Sequence, residues 1–282
     1  MKRVFWAGAL LAAILVSCTP AKFEIRSKGV ALHDDTVVHY LEAGQGPTLM
    51  LIHGLGGSAE AWRDDINLLA PSYRVIALDL PGFGKSDKPK ADYSVEYQAG
   101  VVREVIGALG AGKVALAGSS LGGWISALVA LENPDAVSHL ILVDSAGLRS
   151  EASQPATPLN PSTREEQKAL LQALFADKSK VTEGLVDAQW AYRRDVRSTV
   201  EATIKSLGVN APFLDDRLKD IRVPTLIIWG KQDALVPLEA AERFDKGIRG
   251  SKLIVIDNAG HLPQIEQPKA FARAVKGFVT SW

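Results

Sequence analysis

Residues 118–122 read Gly118-Ser119-Ser120-Leu121-Gly122, directly after the apolar run "KVALA" and at the start of the helical run "GWISALVALENP". A serine flanked at this spacing by glycines, between a strand and a helix, is the arrangement that lifts a hydroxyl clear of the backbone on a strained turn. Side chains at positions 118 and 122 would collide with the neighbouring strand and helix. The first amide of the helix, Leu121 N–H, would point at a negative oxygen forming beside Ser120. A serine hydroxyl is a poor nucleophile at neutral pH and needs a base. His33, His39 and His139 fall in or near early or buried strands and read as packing or solvated residues; His53 ends a strand and reads as a loop-fixing residue. His261 stands apart, in "LIVIDNAGHLPQIEQP", a turn-rich loop between the last strand and the last helix. An imidazole base needs a carboxylate to hold its tautomer and stabilise its charged form. Asp233, after "TLIIWGKQ", gives the chain order Ser, Asp, His; Asp144, after "HLILV", is the alternative acid.

For these side chains to meet, strands must deliver them to one edge of a sheet. Apolar runs of strand length occur at 36–41, 48–52, 74–78, 114–117, 139–143, 225–229 and 252–256. Several are continuous rather than alternating, as in strands buried on both faces of a parallel sheet. Helical patterns separate them. Val95, Ala99, Val102, Ile106 and Leu109 form one apolar stripe, stopped by Gly110. Strands alternating with helices predict an α/β fold. The alternation lapses over 148–220, where a Ser/Pro/Ala-rich loop precedes helical patterns: one from a capping box at Ser162 and Glu165 through Ala176, one over 181–194 and one over 197–207, stopped by Gly208. This segment is expected to be a helical lid on a core of 30–147 and 221–282, over the strand ends where α/β folds bind ligands. Trp190 and Tyr192 are candidates for shaping an acyl pocket or for packing, and Trp124 reads as core.

The first residues read as an address. Lys2 and Arg3 precede an apolar run over 4–16, of signal-peptide length and short for a bilayer span. The run ends in Leu15-Val16-Ser17-Cys18, which resembles the lipobox of bacterial lipoproteins, with Cys18 the only cysteine of the chain. The resemblance implies lipidation at Cys18, a tether over 19–29 and a domain held on a membrane of the cell envelope. With 32 basic against 32 acidic residues, nothing favours a nucleic-acid partner.

The stretch "LMLIHGLGGSAEAW" admits two readings. Gly54-x-Gly56-x-x-Ala59, with Asp79 about 20 residues on, fits a dinucleotide fingerprint. The same turn fits an oxyanion-holding loop. Pro81-Gly82 directly after Asp79, and a Ser120, Asp233 and His261 set left without purpose, disfavour the first. "GFGKS" lacks the first glycine of a phosphate loop, and no Cys/His cluster suggests zinc.

Taken together, His53-Gly54, the run from Asp79 to Ser86, Gly118 to Gly122, Gly230-x-x-Asp233 with Val236-Pro237, and Gly260-His261 resemble the α/β-hydrolase superfamily over roughly 30–282. The resemblance implies a mostly parallel eight-stranded sheet, a lid after the sixth strand, no cofactor or metal, and Leu55 N–H as second oxyanion donor. It implies a serine hydrolase of small carboxylic esters. Carbon–carbon bond hydrolases, thioesterases and lactonases of the same fold are alternatives. The carbon–carbon hydrolases often carry Trp after the catalytic His, where this chain has Leu262-Pro263. Dehalogenases and epoxide hydrolases of the fold use Asp as nucleophile, against Ser120. A lipoprotein that binds ligands without catalysis is the rival of another class.

Overall fold

The computed structural model describes residues 23–149, 157–209 and 211–280; the expected signal and Cys18 lie outside them. Eight strands make one sheet: β1 (Arg26–Ala31), β2 (Val37–Ala43), β3 (Thr48–Ile52), β4 (Arg74–Leu78), β5 (Val114–Ser119), β6 (Val137–Val143), β7 (Thr225–Gly230) and β8 (Lys252–Ile256). Their order is β1-β2-β4-β3-β5-β6-β7-β8. β2 runs antiparallel to both of its neighbours and every other pairing is parallel, which is the expected α/β class. The helices are α1 (Arg63–Leu69), α2 (Val95–Ala108), α3 (Leu121–Glu132), α4 (Arg164–Leu174), α5 (Glu183–Leu207), α6 (Leu238–Gly247), α7 (Pro263–Glu266) and α8 (Pro268–Phe278).

The continuous apolar runs are explained by two cores. Successive strand side chains point to opposite faces, so a strand covered on both sides must be apolar throughout. In β3, Met50 and Ile52 join the layer under α2, α3 and α6, while Leu49 and Leu51 join the layer under α1 and α8. β1 breaks this rule. It is a polar edge strand of sequence RSKGVA, exposed along most of its length, and it begins at Arg26 inside the stretch expected to be tether. Edge strands need no apolar run, so the pattern that found the others could not find it.

Between β6 and β7 the helical insertion departs from expectation in two ways. The capping box is Thr163 with Glu166, not Ser162 with Glu165: Glu166 N–H donates to Thr163 Oγ1 at 3.1 Å, and the Glu166 carboxylate takes the Thr163 N–H at 3.3 Å. Both pairs satisfy the S/T-x-x-E spacing, and the register that buries Gln167, Leu170 and Leu171 decides between them. The two helices expected over 181–194 and 197–207 are one helix of 25 residues. The polar run Arg193-Arg194-Asp195 interrupts the apolar pattern, yet Arg193 and Val196 both face inward.

Asp65 in α1 is fully buried and neither carboxylate oxygen meets a partner among the described residues. Burial, with the nearby Asp64 charge, pushes its carboxyl well above the ordinary value of 3.8. The folded chain therefore holds a proton that the unfolded chain releases, and stability falls as pH rises above the unfolded value, by up to about 1.4 kcal/mol per pH unit until the folded value is reached. Asp65→Asn is expected to raise the thermal midpoint at pH 7, and the gain should shrink towards zero near pH 4; thermal melts of both proteins across this range check it.

Candidate active site

Ser120 joins β5 to α3 at φ 54° and ψ −118°. A Cβ on Gly118 would stand 2.0 Å from the carbonyl oxygen of Gly122, and one on Gly122 would stand 2.4 Å from that of Ile52, so both glycines are required by space. The strained residue is tied at both ends. Its N–H donates to Val143 O at 2.9 Å, and its carbonyl accepts from Gly123, Trp124 and Ala146 at 3.0–3.2 Å. Leu121 opens α3, so its N–H has no acceptor within the helix.

The loop after β3 supplies the facing wall. His53 donates from Nδ1 to Gly54 O at 2.8 Å and accepts the Leu80 N–H on Nε2 at 3.1 Å, which defines a neutral imidazole. Burial keeps it so by pushing its pKa down. His53 thus fixes the loop, as expected. Leu55 N–H follows and donates to no backbone acceptor among the described residues. Tyr192 of α5 clamps the same loop, donating to Gly57 O at 2.8 Å while accepting the Gly84 N–H at 2.8 Å. Burial raises its hydroxyl to about 12, so it stays a donor. Asp79 is closed to any ribose. Its oxygens take the Ala59 and Lys85 N–H groups at 2.6 and 2.8 Å, and one lies 2.7 Å from the His39 ring.

His261 Nδ1 lies 2.7 Å from Asp233 Oδ2, and both side chains are nearly inaccessible to solvent. Asp233 Oδ1 accepts the Leu235 and Val236 N–H groups at 2.8 and 3.0 Å. Burial alone would raise this carboxyl; the His261 charge, its hydrogen bond and the two amides outweigh burial and hold it below the ordinary range. Asp144, the alternative acid, does not make this contact. Its Oδ1 instead accepts the Gly230 N–H at 2.9 Å, at the end of the adjacent strand β7. His261 Nε2 has no partner among the described residues, and His261 and Ser120 line the same cavity.

Three residues of this site escaped the sequence reading. Glu266 of α7 accepts the Gly260, Ala176 and Asp177 N–H groups at 2.7–3.1 Å, pinning the histidine loop to the inserted helices. Gln264 donates to Ser119 Oγ at 3.2 Å and ties α7 to the serine turn. Arg193 of α5 is 6% exposed and packs on the backbone of Gly56, where a Cβ would stand 2.5 Å from its guanidinium. Its Nε reaches Gln167 at 3.4 Å, and among the described residues it meets no carboxylate. Only Arg193 carried a readable signal. It continues the inward stripe of Val186, Val196 and Val200 at helical spacing, where an apolar residue belongs.

The cavity has a volume of about 600 Å³ and a mostly apolar lining, including Leu121, Trp124, Leu170, Leu171 and Leu174. Trp124 is buried as expected, donating to Pro212 O at 3.0 Å, and it also walls the cavity. Tyr192 lines the cavity and Trp190 does not; Trp190 instead lies under the Arg197 guanidinium.

A mostly parallel eight-stranded sheet that brings Ser120, His261 and the loop after β3 to one cavity is the architecture of the α/β-hydrolase class. Accordingly, the profile of the alpha/beta hydrolase family matches residues 49–274, and the chain belongs to that family. The chain is 35% identical over 251 residues to the 2-hydroxy-6-oxo-6-(2'-aminophenyl)hexa-2,4-dienoic acid hydrolase of Metapseudomonas resinovorans, covering 86% of this chain and 87% of that one. It is 32% identical over 260 residues to the 2-hydroxy-6-oxononadienedioate/2-hydroxy-6-oxononatrienedioate hydrolase of Escherichia coli K12, covering 86% and 90%. Among solved structures, a membrane phospholipase A described as a bacterial virulence factor superposes with a TM-score of 0.83 at 30% identity, covering 90% and 86%.

Hydrogen bonds to an ionised acceptor are stronger than neutral ones. Glu266→Gln weakens three of them at once, and a loss of about 2 kcal/mol, or several degrees in thermal midpoint, is expected. Because His261 rides on this clamp, kcat should fall more than tenfold while KM changes less; steady-state kinetics with melting curves check both.

Proposed function

We propose that the chain is a serine hydrolase of carboxylate-bearing substrates, cleaving the carbon–carbon bond of a 2-hydroxy-6-oxo-dienoic acid or a close analogue. Ser120 is the nucleophile, His261 the general base and acid, and Asp233 the group that orients and stabilises the imidazolium. Leu55 and Leu121 N–H stabilise the oxyanion, each donor contributing about 3 kcal/mol.

The substrate class rests on Arg193. A buried guanidinium without a counter-ion is costly, by several kcal/mol even after relaxation, unless a partner arrives. Burial draws its pKa down from 12.5, yet an arginine in this range remains charged. Its packing on Gly56, in the loop carrying the Leu55 N–H, supports a role as an anion anchor near the reacting carbonyl. A carbon–carbon bond breaks heterolytically only when the departing carbon is a stabilised carbanion. A conjugated 2-oxo acid supplies that stabilisation, and its carboxylate matches the guanidinium fork. In the 2-oxo tautomer, formed when the 2-hydroxyl proton moves to C5, Ser120 Oγ adds to the 6-oxo carbon as His261 takes its proton. The C5–C6 bond then breaks with its electron pair delocalised to the 2-oxo oxygen, which takes the proton from His261 as the 2-hydroxydienoate leaves, and water releases the acyl group as a second acid. The names of the two curated relatives support this reading over a simple ester.

A carboxylic ester, of lipid type, is the second reading. Leu262 in place of Trp, the apolar cavity and the likeness to a membrane phospholipase A favour it. Attachment to the cell envelope through Cys18 also belongs here: the apolar run over 4–16 and Leu15-Val16-Ser17-Cys18 support it, and no described helix is long and apolar enough to cross a membrane.

Ser120→Ala is expected to lower turnover of either substrate by roughly four or more powers of ten and to abolish labelling by a fluorophosphonate probe. Arg193→Met should reduce kcat/KM for a 2-hydroxy-6-oxo-dienoate about 10- to 100-fold, read from loss of the visible dienolate absorbance. For an uncharged p-nitrophenyl ester it should change little. Equal losses on both substrates would mean that Arg193 serves packing alone. Cys18→Ser should move the protein from the membrane to the soluble fraction; an unchanged distribution rules out the lipid anchor.

A further inference from the structure

We propose that Asp144, whose carboxyl lies within 4.8 Å of Asp233 and His261, is a positioning residue that can take over the negative charge opposite His261 when Asp233 cannot carry it. The proposal rests on the serine-hydrolase reading of Ser120 and His261.

The geometry is specific. Asp144 follows β6 at φ 43°, a conformation disfavoured for a side-chain-bearing residue. Its N–H donates to Ile228 O at 3.0 Å and its Oδ1 accepts the Gly230 N–H at 2.9 Å, so both ends are tied to β7 just before Asp233. One ligand atom from each of Asp144, Asp233 and His261 lies within 4.8 Å of the others. Asp144 is fully buried and its Oδ2 meets no partner among the described residues. Asp233, in contrast, has a partner on each oxygen: two amides on Oδ1 and the imidazole on Oδ2.

Two carboxylates this close in a dry site do not both ionise, and the better-bonded one keeps the charge. The titratable groups facing Asp144 are Asp233 from the loop after β7, His261 from the loop after β8 and Glu266 from α7. Burial first, then the charges of Asp233 and Glu266, push the Asp144 carboxyl well above its ordinary range, against the opposing Gly230 N–H. The proton thus sits on Asp144 and the charge on Asp233. When residue 233 is neutral, the obstacle to ionising Asp144 falls away. The imidazolium formed during the reaction then has a replacement anion within reach.

The test uses the full chain and p-nitrophenyl acetate, with kcat/KM followed against pH. Asparagine at 144 can still accept the Gly230 N–H, so Asp144→Asn copies the proposed native charge. Its acid-limb midpoint should fall within about 0.3 pH unit of wild type, with the plateau lowered only a few-fold. Asp233→Ala should remain at least about thirtyfold more active than Asp233→Ala with Asp144→Asn, the mark of coupled sites. Two results overturn the proposal. One is equal activity of the Asp233 single and double variants. The other is a downward shift of the Asp144→Asn acid limb by a unit or more, since that would make residue 144 an anion in the native protein. If the double variant does not fold, infrared spectroscopy at neutral pH decides instead. In an Asp65→Asn background, the band of a buried protonated carboxylic acid should be present with Asp144 and absent with Asp144→Asn. Its presence in both, or absence from both, refutes the assignment. The infrared readout does not depend on catalysis, whereas an active Ser120→Ala would sink the serine reading and leave the carboxyl result standing.

Discussion

A serine held at φ 54° and ψ −118° governs the architecture around it. Such a conformation costs of order 1–3 kcal/mol and persists only where the surroundings over-determine it. Here they do so through the backbone. Ser120 N–H reaches across to Val143 at the end of β6, and its carbonyl gathers three amides from α3 and the loop after β6. That bonding requires β5, β6 and α3 to meet at close quarters, and the clearances at Gly118 and Gly122 measure how close. A larger residue at either position would push strand from helix and release the turn. The same compression brings the Gly54 loop against Ser120, where a Cβ on Gly54 would lie 3.1 Å from the serine Cβ. One constraint therefore sets both the exposed hydroxyl and the wall it faces.

Electrostatic order in the site follows from the exclusion of water. Asp233 is ionised because amides and an imidazole surround it, not because solvent does. His53 is neutral because both ring nitrogens are engaged and burial disfavours a charge. Arg193 is the exception, a buried guanidinium that meets no carboxylate among the described residues and lines an otherwise mostly apolar cavity. Glu266 shows the opposite solution, a buried carboxylate matched by backbone amides from two segments. It joins the histidine loop to the inserted helices, so the two sides of the cavity are held by one side chain.

The parallel strands were readable because burial on both faces demands unbroken apolar runs, as in Thr48–Ile52, whose ends match expectation. The polar edge strand β1 was not, since one neighbour and open solvent impose no such pattern. The cap of α4 slipped by one residue because two overlapping Ser/Thr-x-x-Glu pairs offer the same chemistry. α5 was divided in two for a related reason. A charged residue in an apolar stripe reads as an interruption until the fold reveals that it faces a cavity.

Local chemistry in the chain was enough to single out Ser120, His261 and Asp233 as candidates, since a nucleophile turn, a histidine in a terminal loop and an aspartate after a strand each leave a short-range mark. It was enough, too, for the fold class, because strand burial is written in consecutive residues. The contact of His261 with Asp233 rather than Asp144 belongs to the tertiary structure, in which the Asp144 Oδ1 is taken by the Gly230 N–H while Asp233 Oδ2 lies 2.7 Å from the imidazole. Glu266 and Arg193 took their roles from partners far along the chain, Ala176 and Gly56, and such pairings have no local signature. Their energies arise from desolvation and cross-chain hydrogen bonding, which exist only once the polypeptide has closed around them.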